Sequence, residues 1–470
     1  MSGTRVWILR CVLLAMTVLA YVPLWNNGFI DYDDETLITN NAHVIEGLTP
    51  SGICWAWTNR EAPYWMPIPW LSFQFDALFP SPSQSQSQLG SRLSPTVFHS
   101  HNLFWHACNA QLLLTLFLRL TSKPWRSFLI AALFAVHPMH VESVAWAIER
   151  KDVLMCFFGL LSLYAYVRYV EKPGWVPYLG MLLAYQASLM CKPMLLTLPF
   201  LLVFLDYWPL CRFHCRSVPS NRNFKVEKRQ VHPGSLFLEK LPMFVVAVVM
   251  AGQTMATRPG NPMVDLTLVS RVMNALTGYG CYLSKTLYPV GLAAFYPHPG
   301  NNWSLLNSLV GAGLLFSCTA ISLWQANRWR WLPVGWLWFV GTLIPVIGLT
   351  QGGHQAWADR FSYWPHIGLF IVIVWGTGEL ANRLRVPSVI LGSVWAVILG
   401  CLMVLTWLQV GYWRTGTALW EHTVAVTEGN SWAHQHLSLC YRREGRLAEA
   451  EFHLLEAARI QREVWHRSSY

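Results

Sequence analysis

Long apolar runs separated by short polar clusters set the pattern of this chain, and the runs are of membrane length. About 20 mostly apolar residues carry a helix across the hydrocarbon of a bilayer. That template fits 6–25, 101–120, 127–145, 153–170, 175–191, 193–209, 241–257, 304–324, 331–349, 364–381 and 388–409. The pattern thus predicts an all-α polytopic membrane protein of about eleven transmembrane helices. Arg5 and Arg10 precede the first run as in a signal peptide, but Tyr21-Val22-Pro23-Leu24-Trp25 offers no small-residue cleavage site, so the run reads as a helix.

Segment 271–291 departs from the template, because Arg271, Asn274 and Lys285 interrupt a moderately apolar stretch. Lys and Arg are retained in cytoplasmic loops. If 271–291 crossed, Arg328 and Arg330 would fall on the opposite side from Arg383 and Arg385. Lying in the interface, it leaves every basic cluster on one face: Arg5 and Arg10, Lys123 and Arg126, Arg168 and Lys172, the loop from Arg212 to Lys240, and the two pairs just named. The expected N-terminus is cytoplasmic, and 26–100, 137–152, 258–303, 350–363 and everything after 410 lie on the outer face. The chain then divides into a membrane domain, 1–409, with 26–100 as its first outer loop, and an outer-face tail, 410–470. In that first loop Pro80-Ser81-Pro82 and the alternating Ser and Gln residues to Gln88 read as a flexible insertion.

Composition agrees with lipid on most sides. The 470 residues are 54% hydrophobic and 12% charged, whereas soluble domains carry about 25% charged residues. The 26 Trp and 17 Tyr suit a membrane interface, which favours an apolar ring with a polar handle. A net charge of +10 does not indicate nucleic acid here, since Lys and Arg fall in short clusters between apolar runs. Most of the eleven cysteines, among them Cys11, Cys108, Cys156, Cys318 and Cys401, sit in apolar runs and read as packing residues. Cys211, His214 and Cys215 have a loosely metal-like spacing without a second ligand pair, and read as part of a basic loop.

Beyond 410 the pattern changes to a water-soluble amphipathic helix pair. Leu437, Ser438, Tyr441, Gly445, Ala450, Leu454 and Ala457 have the spacing of one tetratricopeptide repeat. A single repeat cannot close a core, so the unit is expected to lean on the preceding helix around Trp420 or to bind a protein partner.

Three outer-face clusters carry candidate chemistry. The first, Asn27 to Glu35, crowds Asp31, Asp33, Asp34 and Glu35 at the mouth of the first helix. Crowded carboxylates raise one another's pKa and leave one as a base near neutral pH; Asp33 and Asp34 would equally cap a short loop helix. The second is His137-Pro138-Met139-His140-Val141-Glu142 followed by Glu149-Arg150-Lys151-Asp152. Ionisable groups at a membrane point to function, although charge pairing within the loop would also account for them. His140 and Glu142 could join His137 in a metal site, but Pro138 and the two-residue spacing fit no helical ligand pair. The third runs from His354 to Trp364 and places Arg360 among aromatics, where a guanidinium fork suits a phosphate at headgroup depth, or an interface anchor. Lys192 ends another outer helix and could meet the same anion.

Together these motifs resemble a family, the transmembrane and tetratricopeptide-repeat proteins, whose animal members are O-mannosyltransferases of the secretory pathway and which have many bacterial relatives. The matching stretches are Phe29 to Asn40, His137 to Leu154, Lys192 to Leu210, Tyr282 to Pro299 and Ala358 to Gly368. The resemblance covers nearly the whole chain and implies the multi-span GT-C glycosyltransferase fold, with a polyprenyl-phosphate-linked sugar entering from the bilayer. Carried over by position, the family's acidic pair falls on Asp33 and Asp34, one of which would deprotonate an acceptor hydroxyl. Inverting transfer would expel a lipid phosphate, with Arg360 and then Arg150 as its cations. His140 and Glu142 would orient the sugar or the loop, and no obligatory metal or other cofactor is expected. The tail departs from the family in holding about one repeat where relatives often carry long arrays.

The leading expectation is therefore a lipid-dependent glycosyltransferase acting on a protein or glycan hydroxyl. The alternative is a non-enzymatic, membrane-anchored assembly or scaffold protein of the cell envelope. The short tail and the absence of a eukaryotic retention signal point to a bacterial inner membrane with a periplasmic working face. A transferase requires Asp33, Asp34, Glu142 and Arg360 to gather within one substrate's reach; a scaffold does not.

Overall fold

The computed structural model describes residues 3–59, 65–81, 93–213, 231–257, 266–349 and 353–468. The Ser/Gln stretch after Ser81 and the pair His214 and Cys215 lie outside them. Among the described residues the only pairing of extended backbone is an isolated antiparallel bridge between Pro297 and Gln355, and the rest of the architecture is helical.

The principal helices are α1 (Gly3–Ala20), α2 (Pro67–Asp76), α3 (Pro95–Thr121), α4 (Pro124–Val136), α5 (Arg150–Glu171), α6 (Trp175–Cys191), α7 (Leu198–Tyr207) and α8 (Leu241–Thr257). They continue with α9 (Leu268–Leu287), α10 (Leu305–Trp324), α11 (Trp331–Leu343), α12 (His366–Arg383), α13 (Ser388–Tyr412), α14 (Gly416–Val426), α15 (Ser431–Arg443) and α16 (Leu447–Ser468).

Six of these are long and apolar enough to cross a membrane: α1, α3, α5 with its lead-in from Ala147, α8 with its lead-in from Pro233, α10 and α13. A seventh is available if α4 and the helical stretch Pro138–Ala145, bent at 55°, form one broken span. The expected count of about eleven is not reached on these criteria. All eleven segments are helical, but α6, α7 and α11 are 17, 10 and 13 residues long. A ten-residue helix rises about 15 Å, half of the hydrocarbon thickness.

Proline decides two of these breaks. The residue before a proline avoids the α region, and His137 (φ −79°, ψ 127°) and Lys192 (φ −157°, ψ 128°) take extended backbone directly before Pro138 and Pro193. The run 127–145 is thereby cut after α4, and the break at Lys192 falls between the expected runs 175–191 and 193–209 and separates α6 from α7. Both breaks deliver polar residues into the interior. Close helix packing elsewhere rests on glycine: a Cβ built on Gly335 of α11 would stand 2.6 Å from the Gly368 carbonyl oxygen of α12.

The basic clusters gather at one end of the bundle. Arg10 donates to Thr115, Arg119 pairs with Glu171, Arg126 with Glu379, Arg330 lies over Tyr207 and Arg383 over Trp329. Tyr166, Asp206, Arg212, Glu239 and Lys240 form a connected ionic knot there.

At the other end the tail folds back onto the first loop. α15 and α16 form a hairpin turned at Gly445 (φ +78°), with Ser438 Oγ donating to the Ala450 carbonyl at 2.6 Å. Trp420 of α14 is fully buried and stacks on His436 at 4.6 Å between ring centroids. Asn430 Nδ2 and His422 hold the carbonyls of Phe295 and Leu292. The pair leans on Trp420 as the sequence leads one to expect.

Candidate functional site

A cavity of about 660 Å³ opens at the tail-covered end of the bundle. One wall is charged, with Asp33, Glu149, Lys151, Lys192 and Arg360; the other is apolar, with Leu196, Ala251, Met255, Ile344, Val346 and Leu349. Met255, Ile344 and Leu349 are also exposed at the molecular surface, so the apolar wall continues to a mouth beside the membrane-length helix α8.

The first loop reaches this cavity because its neighbours are pinned. Gly28 N–H donates to the Arg414 carbonyl at 3.0 Å. The buried Asp34 carboxylate accepts from the backbone N–H of Ile30 at 3.1 Å and of Ile148 at 3.0 Å. Neither acid caps the following helical turn. Tyr32 stacks flat on Trp146, with centroids 5.0 Å apart and planes 9° apart, and meets Trp420 edge-on. With Tyr32 and Asp34 both engaged, Asp33 is the residue of the loop that faces the cavity.

The two acids differ in chemistry. No hydrogen bond or ion pair among the described residues ties up the Asp33 carboxylate. Burial pushes its pKa up, against the pull of Lys151 and Arg360. Burial also pushes Asp34 up to about 7, while the Ile30 and Ile148 amides draw it down. Asp33 is a carboxylate with accessible lone pairs, whereas both oxygens of Asp34 are occupied by backbone donors.

Opposite Asp33 the charges alternate. Glu142 pairs with the Arg360 guanidinium and accepts its backbone N–H at 2.8 Å. Arg360 Nε lies 3.4 Å from Glu149, whose carboxylate also holds Lys151 at 3.0 Å and Lys192 at 3.3 Å. Lys192 in turn pairs with Asp152, which accepts from Ser143 Oγ. Arg360 is sandwiched near Trp146 and Phe361, at 5.4 and 5.0 Å from the ring centroids. Beside this row, Asp359 is buried against the Tyr296 hydroxyl, and burial together with Glu142 holds it well above the usual carboxylate range.

The structure therefore gathers Asp33, Lys192 and Arg360 around one cavity, with Glu142 holding Arg360 from behind and Asp34 behind Asp33. Two expected residues point elsewhere. Arg150 is fully buried on the far side of α5, where it binds Asp76, Ser72, Asn102 and the Phe98 carbonyl and so ties α2 to α3. His140 hydrogen-bonds the Phe134 carbonyl at 2.8 Å and His366 at 3.1 Å, in a buried chain continued by Thr286.

Sequence reasoning passed over Glu149 and Lys151, although both stand in the Glu149-Arg150-Lys151-Asp152 string. Successive residues of a helix point about 100° apart, so only one of Arg150 and Lys151 can face the cavity, and it is Lys151. No group of three or more His, Cys, Asp or Glu side chains placed to hold a metal occurs among the described residues.

No family model matches the sequence, and no solved structure matches it. Among characterised proteins, the chain is similar to the human protein O-mannosyl-transferase TMTC4, 24% identical over 499 residues, which covers 91% of this chain and 63% of the human protein. It is similar to the Drosophila melanogaster protein O-mannosyl-transferase Tmtc2, 29% identical over 203 residues, 40% of this chain and 20% of that protein. A shorter match, 36% identical over 86 residues, links 17% of the chain to 9% of human protein O-mannosyl-transferase TMTC1. The chain thus spans just under two thirds of the length of its human TMTC4 relative. With six membrane-length helices and similarity along most of its length to these proteins, the chain is an integral membrane protein and a relative of the TMTC protein O-mannosyl-transferases.

Proposed function

We propose that this protein is a membrane glycosyltransferase that moves a sugar from a polyprenyl-phosphate donor to a hydroxyl of a protein or glycan acceptor, with inversion at the anomeric carbon. The observation that carries the reading is the two-sided cavity: an unpaired carboxylate, Asp33, faces three cations across it, and an apolar wall leads out beside a membrane-length helix. An amphiphilic phosphate fits such a space from the bilayer side, tail along Leu196, Met255 and Ile344, headgroup against Lys151, Lys192 and Arg360. The names of the relatives point to sugar transfer as well.

In this reading Asp33 takes the proton of the acceptor hydroxyl as its oxygen bonds to the anomeric carbon. The bond from that carbon to the phosphate oxygen breaks, and the charge that develops on the leaving phosphate is met by cations already in place. Asp34 is a positioning residue that fixes the loop on Ile148. The multi-span GT-C architecture, a tetratricopeptide identity for the α15–α16 hairpin, and a bacterial inner membrane with the cavity on the periplasmic side complete the proposal; the grouping of the basic clusters at the opposite end supports that orientation.

The test is sugar transfer by purified protein in detergent, supplied with a panel of radiolabelled polyprenyl-phosphate sugars and a membrane extract as acceptor. Transfer by wild type that collapses in a folded Asp33→Asn variant supports the reading. If no donor is consumed, or the variant matches wild type, the enzymatic reading fails and a scaffold role takes its place.

A further inference from the structure

Three cations converge on a single carboxylate in the cavity wall. Lys151 and Lys192 lie 3.0 and 3.3 Å from Glu149, and Arg360 Nε lies 3.4 Å away. Glu149 is the only acid that all three share: Glu142 pairs with Arg360 and Asp152 with Lys192. A carboxylate with two oxygens against two ammonium groups and a guanidinium is the contact set that a phosphate would make in the same place.

We infer that Glu149 is an internal counter-anion, standing at the position of a ligand's phosphate and yielding Lys151 and Lys192 to that phosphate when it binds. This deepens the donor reading proposed above and rests on it. Glu142 and Asp152 offset part of the buried positive charge, and Glu149 supplies the anion that Lys151, Lys192 and Arg360 share between turnovers. The same group weakens binding of the incoming anion through like-charge repulsion across a short, poorly solvated distance. Product release follows from this arrangement: once the sugar has left, the Glu149 carboxylate competes with the lipid phosphate for the same two lysines. Glu149 thus acts as a positioning residue that trades affinity for turnover, and Lys151 joins Lys192 as a direct phosphate ligand.

The experiment measures binding of a short isoprenyl monophosphate, inorganic phosphate and the matching isoprenol to the purified full chain in detergent, for wild type, Glu149→Gln, and Glu149→Gln with Lys151→Met. Removing the competing charge is expected to tighten isoprenyl monophosphate binding about tenfold, and to enlarge its thermal stabilisation of the protein. The added Lys151→Met change should reverse the gain. The isoprenol should show no difference between the variants. Glu149→Asp, which withdraws the carboxylate by one methylene, should move affinity the same way by a smaller factor and serves where Glu149→Gln does not yield folded protein.

Equal or weaker monophosphate binding by both Glu149 variants, with wild type binding normally, overturns the inference and leaves the donor reading intact. A gain for inorganic phosphate alone keeps the counter-anion and removes the lipid as its ligand. If wild type and all variants bind none of the three compounds, the donor reading itself fails, and this inference with it.

Discussion

The Asp34 carboxylate and the Ile148 backbone N–H meet at 3.0 Å, and this bond joins the first loop to the turn that delivers Glu149 and Lys151. Asp33 and Asp34, adjacent in sequence, therefore carry different burdens. Asp33→Asn should leave the melting temperature near that of wild type and reduce sugar transfer by about 10²- to 10⁴-fold, the usual contribution of a general base. Asp34→Asn places an amide NH₂ against one of two buried N–H donors and should lower the melting temperature by several degrees, with activity lost in proportion to folded protein. Thermal denaturation and transfer assays on the same preparations separate the two.

The pH dependence of stability follows from Asp34. Its folded pKa, about 7, lies above the usual aspartate value of about 3.9, so over the interval between them the native state holds a proton that the unfolded chain has released. Stability from this group is complete below the unfolded value and declines as pH rises through the folded one. Wild type should thus melt at a higher temperature near pH 5 than near pH 7.5, and Asp34→Asn should flatten that difference. A slope of the opposite sign in wild type, removed by the substitution, would show that the two backbone donors outweigh burial.

The Arg360 guanidinium is held by Glu142 through one N–H, by Glu149 facing Nε at 3.4 Å, and by two aromatic faces. Lysine offers neither the planar fork nor the stacking surface, so Arg360→Lys should behave like Arg360→Ala in transfer assays. Recovery of more than half of the wild-type rate by Arg360→Lys would mean that charge alone suffices there.

The tail is held by two kinds of contact of unequal strength. Arg443 bridges Asp31 at 2.8 Å and Glu35 at 2.7 Å, and all three are partly exposed; such pairs contribute about 0–1 kcal/mol. Trp420 is fully buried between Tyr32 and His436, and replacing a buried tryptophan by alanine costs about 3–5 kcal/mol. Limited proteolysis should therefore find the hairpin released in Trp420→Ala and retained in Arg443→Ala.

Gly335 and Gly368 let α11 and α12 touch along their backbones. Small residues at such a crossing are what permits close approach within a membrane. Gly335→Val should destabilise the protein by about 1–3 kcal/mol through overpacking, read as a lower melting temperature in detergent.

How much of this was legible in the sequence differs between levels. Each expected span contains a helix, because apolar run length is a direct physical signal, but not each is helical throughout. The number of membrane-length helices was not legible, since His137-Pro138 cuts one run and α6, α7 and α11 are only 17, 10 and 13 residues long. At the site, Arg360, Lys192 and Glu142 were found from residue type and position at helix mouths. Choosing Arg150 over Lys151 depended on the rotational phase of α5, which is fixed by the exact residue where that helix starts. His140 looked available because its partner His366 lies 226 positions away. The distinction between Asp33 and Asp34 likewise came from a bond to Ile148, 114 residues on.

The contact between Arg443 and Glu35 spans 408 residues of chain, and the edge-on contact of Tyr32 with Trp420 is nearly as distant in sequence. A ribosome therefore makes the acidic loop long before the segment that covers it. Until α14 and α15 emerge, Tyr32 lacks Trp420 and His436, two of its three aromatic partners. Assembly of the membrane helices and completion of the reactive loop are separated in time, which makes a chain halted midway through synthesis inert by construction.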